Sequence, residues 1–350
     1  MEKIVYDVDA EIVSPACRTE ESSLFLREEK ETSTSKDLKK TKKKTIPVFF
    51  ASDDNYLPFL TVALSSMKRN ASKRYDYRVY VLQSGLNGKD AELLMSLSSD
   101  TFKVSFVDVS EQLKTIEKHL HLRDYYTSAI YYRLFIVGMF PQYDKAVYLD
   151  SDTVVLGDIA ELYNTPLGED YIAAAVDQVV ASDPVFGAYT KDALGIEGKA
   201  YFNSGVIVMH LKKFRSDNFY DRFYKVLSSY DFIVAPDQDC LNLLCKGKVK
   251  YLAPEWNAMP VGGKLRVRPK LVHYNLALKP WHYDGVTYGE YFWEYAENSF
   301  FFDRILRAKK AFTPEMAKRD EEGGKKLLAL ADSEAKNERN YIRTYGENHA

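Results

Sequence analysis

The sequence predicts an α/β protein built around a Rossmann-like, mostly parallel sheet, and three observations support this fold class. From residue 46 onward, short apolar runs alternate with segments in which apolar residues recur at helical spacing. The apolar run 146–149 leads directly into an Asp-x-Asp pair, and open α/β sheets place their ligand sites at the carboxyl ends of strands. Hydrophobic residues make up 46% of the 350 residues and charged residues 28%, so a large core can form and global disorder is excluded.

The individual elements follow in chain order from Ile46. Strands are predicted where short apolar runs occur, at 46–50, 77–82, 102–107, 146–149, 171–176, 206–209 and 249–252. Helices are predicted where apolar side chains recur every three or four residues, over 56–67, over 89–97 and from Thr127 or Ser128. Beyond about residue 285 the pattern becomes helical, first with aromatic clusters and then with a Lys/Glu-rich tail. This alternation of strands and helices indicates one mostly parallel sheet.

The chain divides into three regions. Residues 1–45 show no periodicity and end in the lysine-rich run Lys39–Lys44, so we interpret them as a charged and mostly disordered arm. An alternative role for this run is a weak electrostatic contact with anionic lipid, at about 1 kcal/mol per lysine. Residues 46–285 would form one α/β domain, and residues 286–350 an aromatic and helical extension.

The charge and cysteine content narrow the class of protein. Lys and Arg (48) nearly balance Asp and Glu (50), so we expect no nucleic-acid partner. Cys240 and Cys245 lie in an apolar helical pattern, which indicates reduced core residues of a cytosolic protein. The first 30 residues lack an apolar signal segment, and no later run reaches the length of a membrane span. We therefore expect a cytoplasmic protein, with peripheral contact at the inner face of a membrane as the alternative.

Paired carboxylates are the first candidates for chemistry. The Asp-x-Asp spacing occurs three times, at Asp7/Asp9, Asp150/Asp152 and Asp237/Asp239. The first pair lies in the charged arm and is expected to be solvated. The second lies at the carboxyl end of an apolar strand, where two carboxylates can hold one hard cation together with a diphosphate. The competing interpretation of the second pair is a polar strand exit that caps the next segment.

His273 is the second candidate, because it follows another short apolar run and precedes Lys279–Trp281. A lone histidine is more often a buried core residue than a ligand. Combined with a carboxylate pair, however, it offers an imidazole and oxygens, a donor set that suits Mn²⁺ better than Ca²⁺. Both interpretations stay open on the residues alone.

Six short segments occur in a fixed order between about residues 46 and 285. They are Phe50–Tyr56, Tyr132–Leu134, Tyr148–Asp152, Phe202–Val206, Asp237–Asp239 and His273–Tyr274 with Lys279–Trp281. In this order and spacing they resemble family 8 of the retaining glycosyltransferases, the bacterial lipooligosaccharide galactosyl- and glucosyltransferases to which glycogenin is distantly related. The resemblance implies a GT-A fold with a single Rossmann-like domain that binds a UDP-sugar. It also implies transfer of galactose or glucose to a glycan or glycolipid acceptor, with Mn²⁺ as the metal and Mg²⁺ as the alternative.

The resemblance also implies roles for the matching residues. Those matched to uracil and ribose are Ala51, Asp53 and Asn55, with a purely capping Asp53 as the alternative. Those matched to the metal are Asp150, Asp152 and His273. Lys279 would neutralise the leaving diphosphate. Arg133 lies in an apolar stretch, where an unpaired charge is costly, and would face the donor sugar and phosphates.

The remaining matches concern the donor hexose. Asp177, Asn203 and Asp237 would bind its hydroxyls, and Gln238 would lie nearest the anomeric carbon. A neutral amide is a poor nucleophile, so Gln238 fits front-face displacement better than a covalent double displacement. The diphosphate oxygen would then serve as the base for the acceptor.

One loop departs from the family pattern. Relatives commonly carry a glycine between the histidine and the lysine, whereas this chain has Asn275–Leu278 there, with Leu276 at the aligned position. We expect a lost close approach of the backbone to phosphate at this loop, while the contact from Lys279 is kept.

Two other functions compete with a glycosyltransferase. A sugar nucleotidyltransferase needs a glycine-rich, arginine-containing loop after the first strand, where this chain has Ser52–Asn55, and neither a P-loop nor G-x-G-x-x-G occurs. Hydrolase motifs such as H-E-x-x-H and G-x-S-x-G are also absent. The non-enzymatic alternative is a sugar-nucleotide-binding protein that has lost activity, although every catalytic position except the loop glycine is retained.

Overall fold

The computed structural model of the protein describes residues 43–86, 88–116 and 128–346. The predictions for residues 1–42, including the Asp7/Asp9 pair, and for a helix start at Thr127 lie outside the described residues. The strands are β1 (Lys44–Ala51), β2 (Tyr75–Gln83), β3 (Phe102–Asp108), β4 (Ala146–Asp150), β5 (Thr153–Val155), β6 (Ile172–Val176), β7 (Phe202–Met209), β8 (Val249–Tyr251) and β9 (Leu271–His273). The α-helices are α1 (Leu57–Asn70), α2 (Gly88–Met95), α3 (Ser110–Ile116), α4 (Tyr132–Met139), α5 (Ile159–Tyr163), α6 (Gln178–Ser182), α7 (Pro184–Leu194), α8 (Leu211–Ser216), α9 (Phe219–Ser229), α10 (Pro236–Cys245), α11 (Gly289–Ala296), α12 (Phe302–Ala311), α13 (Pro314–Lys336) and α14 (Tyr341–Tyr345).

Seven of these strands form one mixed sheet in the order β3-β2-β1-β4-β7-β6-β8. Strand β7 runs antiparallel to both of its neighbours, and the other neighbouring strands pair in parallel. The predicted α/β fold with a mixed, mostly parallel sheet is therefore confirmed, and each predicted strand is present. Helix α4 begins at Tyr132, since Ser128–Tyr131 forms a turn of 3₁₀-helix.

Strand β1 lies within the sheet and is buried on both faces. Val48 and Phe50 pack into one hydrophobic layer, whereas Phe49 and Ala51 pack into the other. A strand that is covered on both faces needs a continuous apolar run rather than an alternating pattern. This requirement explains the apolar sequence from which the strand was predicted.

Strand β7 begins at Phe202 rather than at the predicted Val206, and all of its residues are buried. Phe202 pairs with Val176, the last residue of β6. Because β7 runs antiparallel, its polar first residues, Asn203 and Ser204, lie at the edge where β4 and β6 end.

Strands β5 and β9 form a separate two-stranded antiparallel sheet. Thr153 pairs with His273 in this sheet. The pairing brings the end of β9 beside the turn that follows β4, although these segments are distant in sequence.

The C-terminal helices pack onto the rest of the domain. Phe59 of α1 stacks on Trp281 with ring centroids 3.9 Å apart, and Phe292 of α11 lies 5.0 Å from the same indole. Leu327 and Leu328 of α13 pack against the main core. In the part of the chain that the structure describes, no helix combines the length and the apolar character needed to cross a bilayer.

The two cysteines of α10 are buried and free. Cys240 and Cys245 lie in the main hydrophobic core, as predicted for reduced core residues.

Candidate active site

The predicted site residues converge on one cavity at the edge of the large sheet, where β1, β4 and β6 end and β7 begins. The cavity has a volume of about 280 Å³. All of the predicted site residues except Asn55 line it. Asn55 is exposed in the turn between β1 and α1.

Three of the lining residues direct ligand atoms toward one another. Asp150 ends β4, Asp152 follows in the next turn, and His273 ends β9. His273 Nε2 lies 3.2 Å from Asp152 Oδ1 and 3.6 Å from Asp150 Oδ2. One ligand atom from each residue lies within 4.8 Å of the others. Carboxylate oxygens and an imidazole nitrogen form a donor set that Mn²⁺ accepts.

Two further observations indicate that this cluster fits a divalent cation. A Cβ atom at Gly205 of β7 would lie 2.3 Å from His273 Cε1 and 2.5 Å from Asp150 Oδ2, so any side chain there would fill the cluster. Asp152 Oδ1 is buried, and within the described ranges the imidazole of His273, at 3.2 Å, is the only group that faces it at hydrogen-bond distance. When that nitrogen presents its lone pair instead of a proton, the buried oxygen is costly unless a cation compensates its charge.

Lys279 forms an ion pair with Asp152 and also donates to the carbonyl oxygen of Tyr274. Burial disfavours the Lys279 ammonium, but Asp152 and Tyr56 outweigh it and raise the pKa of Lys279. Burial alone would raise the pKa of Asp152, but Lys279 and His273 outweigh it and hold that pKa well below its usual range. Both groups are therefore charged at neutral pH.

Arg133 is only 2% exposed and links two of the site carboxylates. Its Nη2 lies 3.1 Å from Asp150 Oδ1 and 3.6 Å from Asp237 Oδ2, and its guanidinium lies 4.3 Å from the centre of the Tyr148 ring. Its Nη1 donates to the Ser204 carbonyl oxygen. Burial disfavours the charge, but Tyr148, Asp150 and Asp237 outweigh it and raise the pKa of Arg133. The contact of Arg133 with the donor sugar and phosphates stays a prediction.

Asp177 follows β6 and accepts four hydrogen bonds. Oδ1 accepts from the backbone N–H groups of Val179 and Val180 at 2.9 and 3.1 Å, which caps α6. Oδ2 accepts from Asn203 Nδ2 at 3.0 Å and from Gln238 Nε2 at 3.1 Å. A carboxylate offers about four lone-pair sites, so Asp177 uses two of them to cap α6 and two to anchor the amides of Asn203 and Gln238. Binding of hexose hydroxyls by these residues stays a prediction.

Gln238 and Asp237 lie in the first turn of α10. Gln238 Oε1 accepts from the backbone N–H of Ser204 at 2.8 Å, so both ends of its amide are held by the protein. Burial raises the pKa of Asp237, and Arg133 only partly offsets this effect. Their predicted catalytic roles remain predictions.

Asp239, the second member of the third Asp-x-Asp pair, does not line the cavity, unlike Asp237. It is fully buried and accepts hydrogen bonds from Tyr201 Oη at 2.6 Å and Tyr189 Oη at 2.7 Å. Burial raises the pKa of Asp239 to about 7.

The residues predicted to receive uracil and ribose do not all line the cavity. Asp53 Oδ1 accepts from the backbone N–H groups of Asn55 and Tyr56 at 3.0 and 3.1 Å, so Asp53 caps the turn before α1, as the alternative interpretation proposed. Asp53 and Ala51 also line the cavity. Binding of the nucleoside by these residues stays a prediction.

Leu276 adopts φ 54°, in the left-handed region. This conformation costs a side-chain-bearing residue roughly 1–2 kcal/mol, whereas glycine adopts it freely. The Leu276 side chain is 47% exposed and lines the cavity. The loop therefore has a backbone conformation that favours glycine, although leucine occupies the position aligned with the family glycine.

Sequence reasoning missed two residues that lie beside the candidate metal site. Asn257 is completely buried, and its Oδ1 lies 3.1 Å from His273 Nδ1. A lone asparagine in a loop has no periodic signal from which this contact could be predicted. Gly205 belonged to a matched segment, but its steric role arises only where β7 passes the end of β9.

Comparisons with known proteins agree with this arrangement. The family model described as glycosyl transferase family 8 matches residues 47–285, which include every site residue discussed above. A Haemophilus influenzae protein assigned to the glycosyltransferases is 30% identical over 244 residues, which cover 69% of this chain and 72% of that protein. The lipopolysaccharide 1,2-glucosyltransferase of Escherichia coli K12 is 27% identical over 266 residues, covering 69% and 75% of the two chains.

Solved structures show the same likeness. An active-site mutant of LgtC superimposes with a TM-score of 0.65 at 26% identity, covering 75% of this chain and 100% of LgtC. LgtC is described as a galactosyltransferase in a second structure, which holds donor and acceptor sugar analogues.

Proposed function

Because the chain belongs to glycosyl transferase family 8 and has a GT-A fold, we propose that it transfers galactose or glucose from a UDP-sugar to a glycan or glycolipid acceptor, with retention of configuration. The observation that carries this proposal is the convergence of Asp150, Asp152 and His273 in the cavity. Relatives named as lipopolysaccharide glucosyltransferases and a galactosyltransferase support the hexose class of the donor.

The charge of the site supports a metal-dependent reaction. Asp150, Asp152 and a diphosphate would repel one another in a partly desolvated site without a cation between them. Asp150, Asp152 and His273 would hold Mn²⁺, or Mg²⁺ as the alternative. When bound, such an ion supplies positive charge that stabilises the negative charge on the departing diphosphate.

Residues of the chain would supply the rest of the electrostatic stabilisation. Lys279, which pairs with Asp152, would neutralise the diphosphate as the bond to the anomeric carbon breaks. Arg133 compensates the carboxylates of Asp150 and Asp237 and so lets them lie beside the donor. Ala51 and Asp53 line the same cavity and would receive the nucleoside.

The proposed step is a front-face displacement. The bond between the anomeric carbon and the UDP oxygen breaks, the acceptor hydroxyl bonds to the same face, and its proton passes to a diphosphate oxygen. Gln238 is a neutral amide whose oxygen and nitrogen are already held by Ser204 and Asp177, which supports this route over a covalent intermediate. A cytoplasmic location is part of the same proposal, with contact of the lysine run Lys39–Lys44 to anionic lipid as the alternative.

A donor screen tests the function directly. The purified protein is mixed with Mn²⁺ and each of several UDP-sugars, with GDP- and ADP-sugars as controls, and nucleotide release is measured. We expect UDP release from UDP-galactose or UDP-glucose and its loss in excess chelator. With a glycan acceptor added, we expect an α-linked product by anomeric proton coupling. Asp152→Asn should abolish release, whereas Asp9→Asn, which has the same spacing in the N-terminal arm, should not.

The alternatives give different results in this screen. Tight UDP-sugar binding without turnover on any acceptor would indicate a sugar-nucleotide-binding protein. Release of pyrophosphate from a nucleoside triphosphate and a sugar phosphate would indicate a nucleotidyltransferase. Full activity in excess chelator would refute the metal site.

A further inference from the structure

A series of buried side-chain hydrogen bonds connects the candidate metal ligand His273 to the predicted hexose end of the cavity. His273 Nδ1 lies 3.1 Å from Asn257 Oδ1, Asn257 Nδ2 lies 2.9 Å from Asn203 Oδ1, and Asn203 Nδ2 lies 3.0 Å from Asp177 Oδ2. All four side chains are at most 5% exposed. Solvent therefore does not compete for these bonds.

Gly205 and Asp177 fix the direction of these hydrogen bonds at the Asn203 end of the series. The backbone N–H of Gly205 can only donate, and it lies 3.0 Å from Asn203 Oδ1. The carboxylate of Asp177, whose oxygens already accept from Val179 N–H, Val180 N–H and Gln238 Nε2, faces the other amide atom of Asn203 as an acceptor. These two contacts require that the Asn203 oxygen faces Gly205 and that its nitrogen faces Asp177. The orientation of this amide therefore follows from its partners.

The same reasoning passes through Asn257 to the histidine. Because Asn203 Oδ1 accepts, the Asn257 atom that faces it must be the donor Nδ2. Asn257 Oδ1 then faces His273 Nδ1, and a hydrogen bond forms there only if Nδ1 carries a proton. A neutral imidazole with its proton on Nδ1 has its lone pair on Nε2. Nε2 is the nitrogen that faces Asp150 and Asp152.

The backbone around Asn257 holds its side chain in this position. The N–H of Ala258 donates to the carbonyl oxygen of Leu271 at 2.9 Å, and the N–H of His273 donates to the carbonyl oxygen of Ala258 at 2.9 Å. The carbonyl oxygen of Asn257 itself accepts from Gln178 Nε2 at 2.9 Å. Asn257 is thus tied to β9 on one side and to α6 on the other.

We infer that Asn257 is a positioning residue that holds His273 in the Nδ1–H tautomer and so presents the Nε2 lone pair to the metal. The metal part of this inference rests on the proposed function, whereas the hydrogen bond from the Nδ1 proton to Asn257 is a property of the metal-free chain. In that chain Nε2 lies 3.2 Å from Asp152 Oδ1, so the test reads the proton on Nδ1 and not the state of Nε2. Groups that hydrogen-bond to metal-bound histidines typically change metal affinity by about 10–100-fold when they are removed.

Two substitutions test the acceptor oxygen and the donor nitrogen of the Asn257 amide separately. Asn257→Asp keeps an oxygen for the Nδ1 proton of His273 but loses the amide donor to Asn203. Asn257→Leu removes both. A matched control is Asn340→Leu, because Asn340 is also completely buried but caps α14 and does not line the cavity.

The proton on Nδ1 is read from two-bond ¹H–¹⁵N correlations of the His273 ring in the metal-free protein at pH 8, with the His273→Ala spectrum as the assignment. Affinity for Mn²⁺ alone is measured by calorimetry, and thermal unfolding is recorded for every variant. We expect a protonated Nδ1 in wild type and in Asn257→Asp, with Mn²⁺ affinity in that variant within about threefold of wild type. Asn257→Leu should lose the fixed proton on Nδ1 and bind Mn²⁺ roughly 10–100-fold more weakly. Asn340→Leu should lower the unfolding temperature without changing the tautomer or the affinity.

An Nδ1 that carries no proton in the wild-type protein would overturn the inference, and this measurement does not depend on the folding of any variant. Wild-type Mn²⁺ affinity in folded Asn257→Leu would overturn it as well. A wild-type protein that shows the Nδ1–H tautomer but binds no Mn²⁺ would instead refute the proposed metal site, so the two failures are distinguishable.

Discussion

The α-carbon of Gly205 lies so close to the imidazole of His273 that a methyl group at this position would stand 2.3 Å from His273 Cε1. Carbon atoms that are not bonded do not approach so closely, so one of the two residues would have to move. The contact joins β7 of the large sheet to β9 of the small sheet, and Asp150 lies on the same side of it. The glycine therefore sets how near the histidine can approach the carboxylates.

Gly205→Ala should displace His273 and weaken Mn²⁺ binding by at least about tenfold, with a loss of stability of about 1–3 kcal/mol from overpacking. Calorimetry with Mn²⁺ and urea unfolding measure the two effects. Gly324→Ala in α13 is the matched control, because an added Cβ there would meet no atom within 4 Å. A folded Gly205→Ala variant with wild-type Mn²⁺ affinity would contradict the steric role.

Lys279→Met should change two binding reactions in opposite directions. Lys279 pairs with Asp152, so its loss frees that carboxylate for a cation, and Mn²⁺ alone should bind at least as tightly as to wild type. UDP in the presence of Mn²⁺ should bind more weakly, because the positive charge opposite the diphosphate is gone.

Calorimetry with Mn²⁺ alone and then with UDP separates these effects. Lys270→Met serves as the control, since Lys270 forms an exposed ion pair with Glu161 and should affect neither reaction. Unchanged UDP affinity in Lys279→Met would remove Lys279 from the proposed phosphate site.

Leu276→Asn should stabilise the protein by about 1 kcal/mol, because asparagine tolerates the left-handed conformation better than leucine does. Urea unfolding of the two proteins measures the difference. Leu278→Asn is the comparison, since Leu278 is 41% exposed in the same loop but does not adopt a positive φ. An equal effect of both substitutions would show that polarity rather than backbone strain is responsible.

Asp239 should make stability depend on pH in a direction opposite to that of most acidic residues. Its pKa is raised from 3.8 to about 7 in the folded state, so between these values the folded protein holds a proton that the unfolded chain has released. Stability from this group is therefore lost as the pH rises through that window, by up to about 1.4 kcal/mol per pH unit.

Urea unfolding of wild type and Asp239→Asn at pH 5, 6 and 7 tests this dependence. The stability of wild type relative to the variant should fall steadily as the pH rises. Parallel pH profiles would mean that Asp239 titrates alike in the folded and unfolded states.

Several parts of the site were predictable because their signals are local. Strand β4 and the Asp150/Asp152 pair could be predicted together from the sequence. A strand that is buried on both faces needs an apolar run, and the polar residues that follow this run mark the edge of the sheet. Asp177 was likewise visible as the residue that ends an apolar strand. The capping contacts of Asp53 were anticipated as an alternative, because aspartate before a helix commonly accepts backbone hydrogen bonds.

The sequence by itself determined which side chains stand at the ends of the strands, because strand burial and side-chain alternation are properties of neighbouring residues. Only the tertiary structure decided which of these ends meet. The pairing of Thr153 with His273 turns a candidate core histidine into a neighbour of two carboxylates, and the bridge between Ala258 and Val272 places Asn257 behind it. Such contacts join segments that are distant along the chain, so their geometry depends on how the large and small sheets pack and leaves no periodic trace in the sequence.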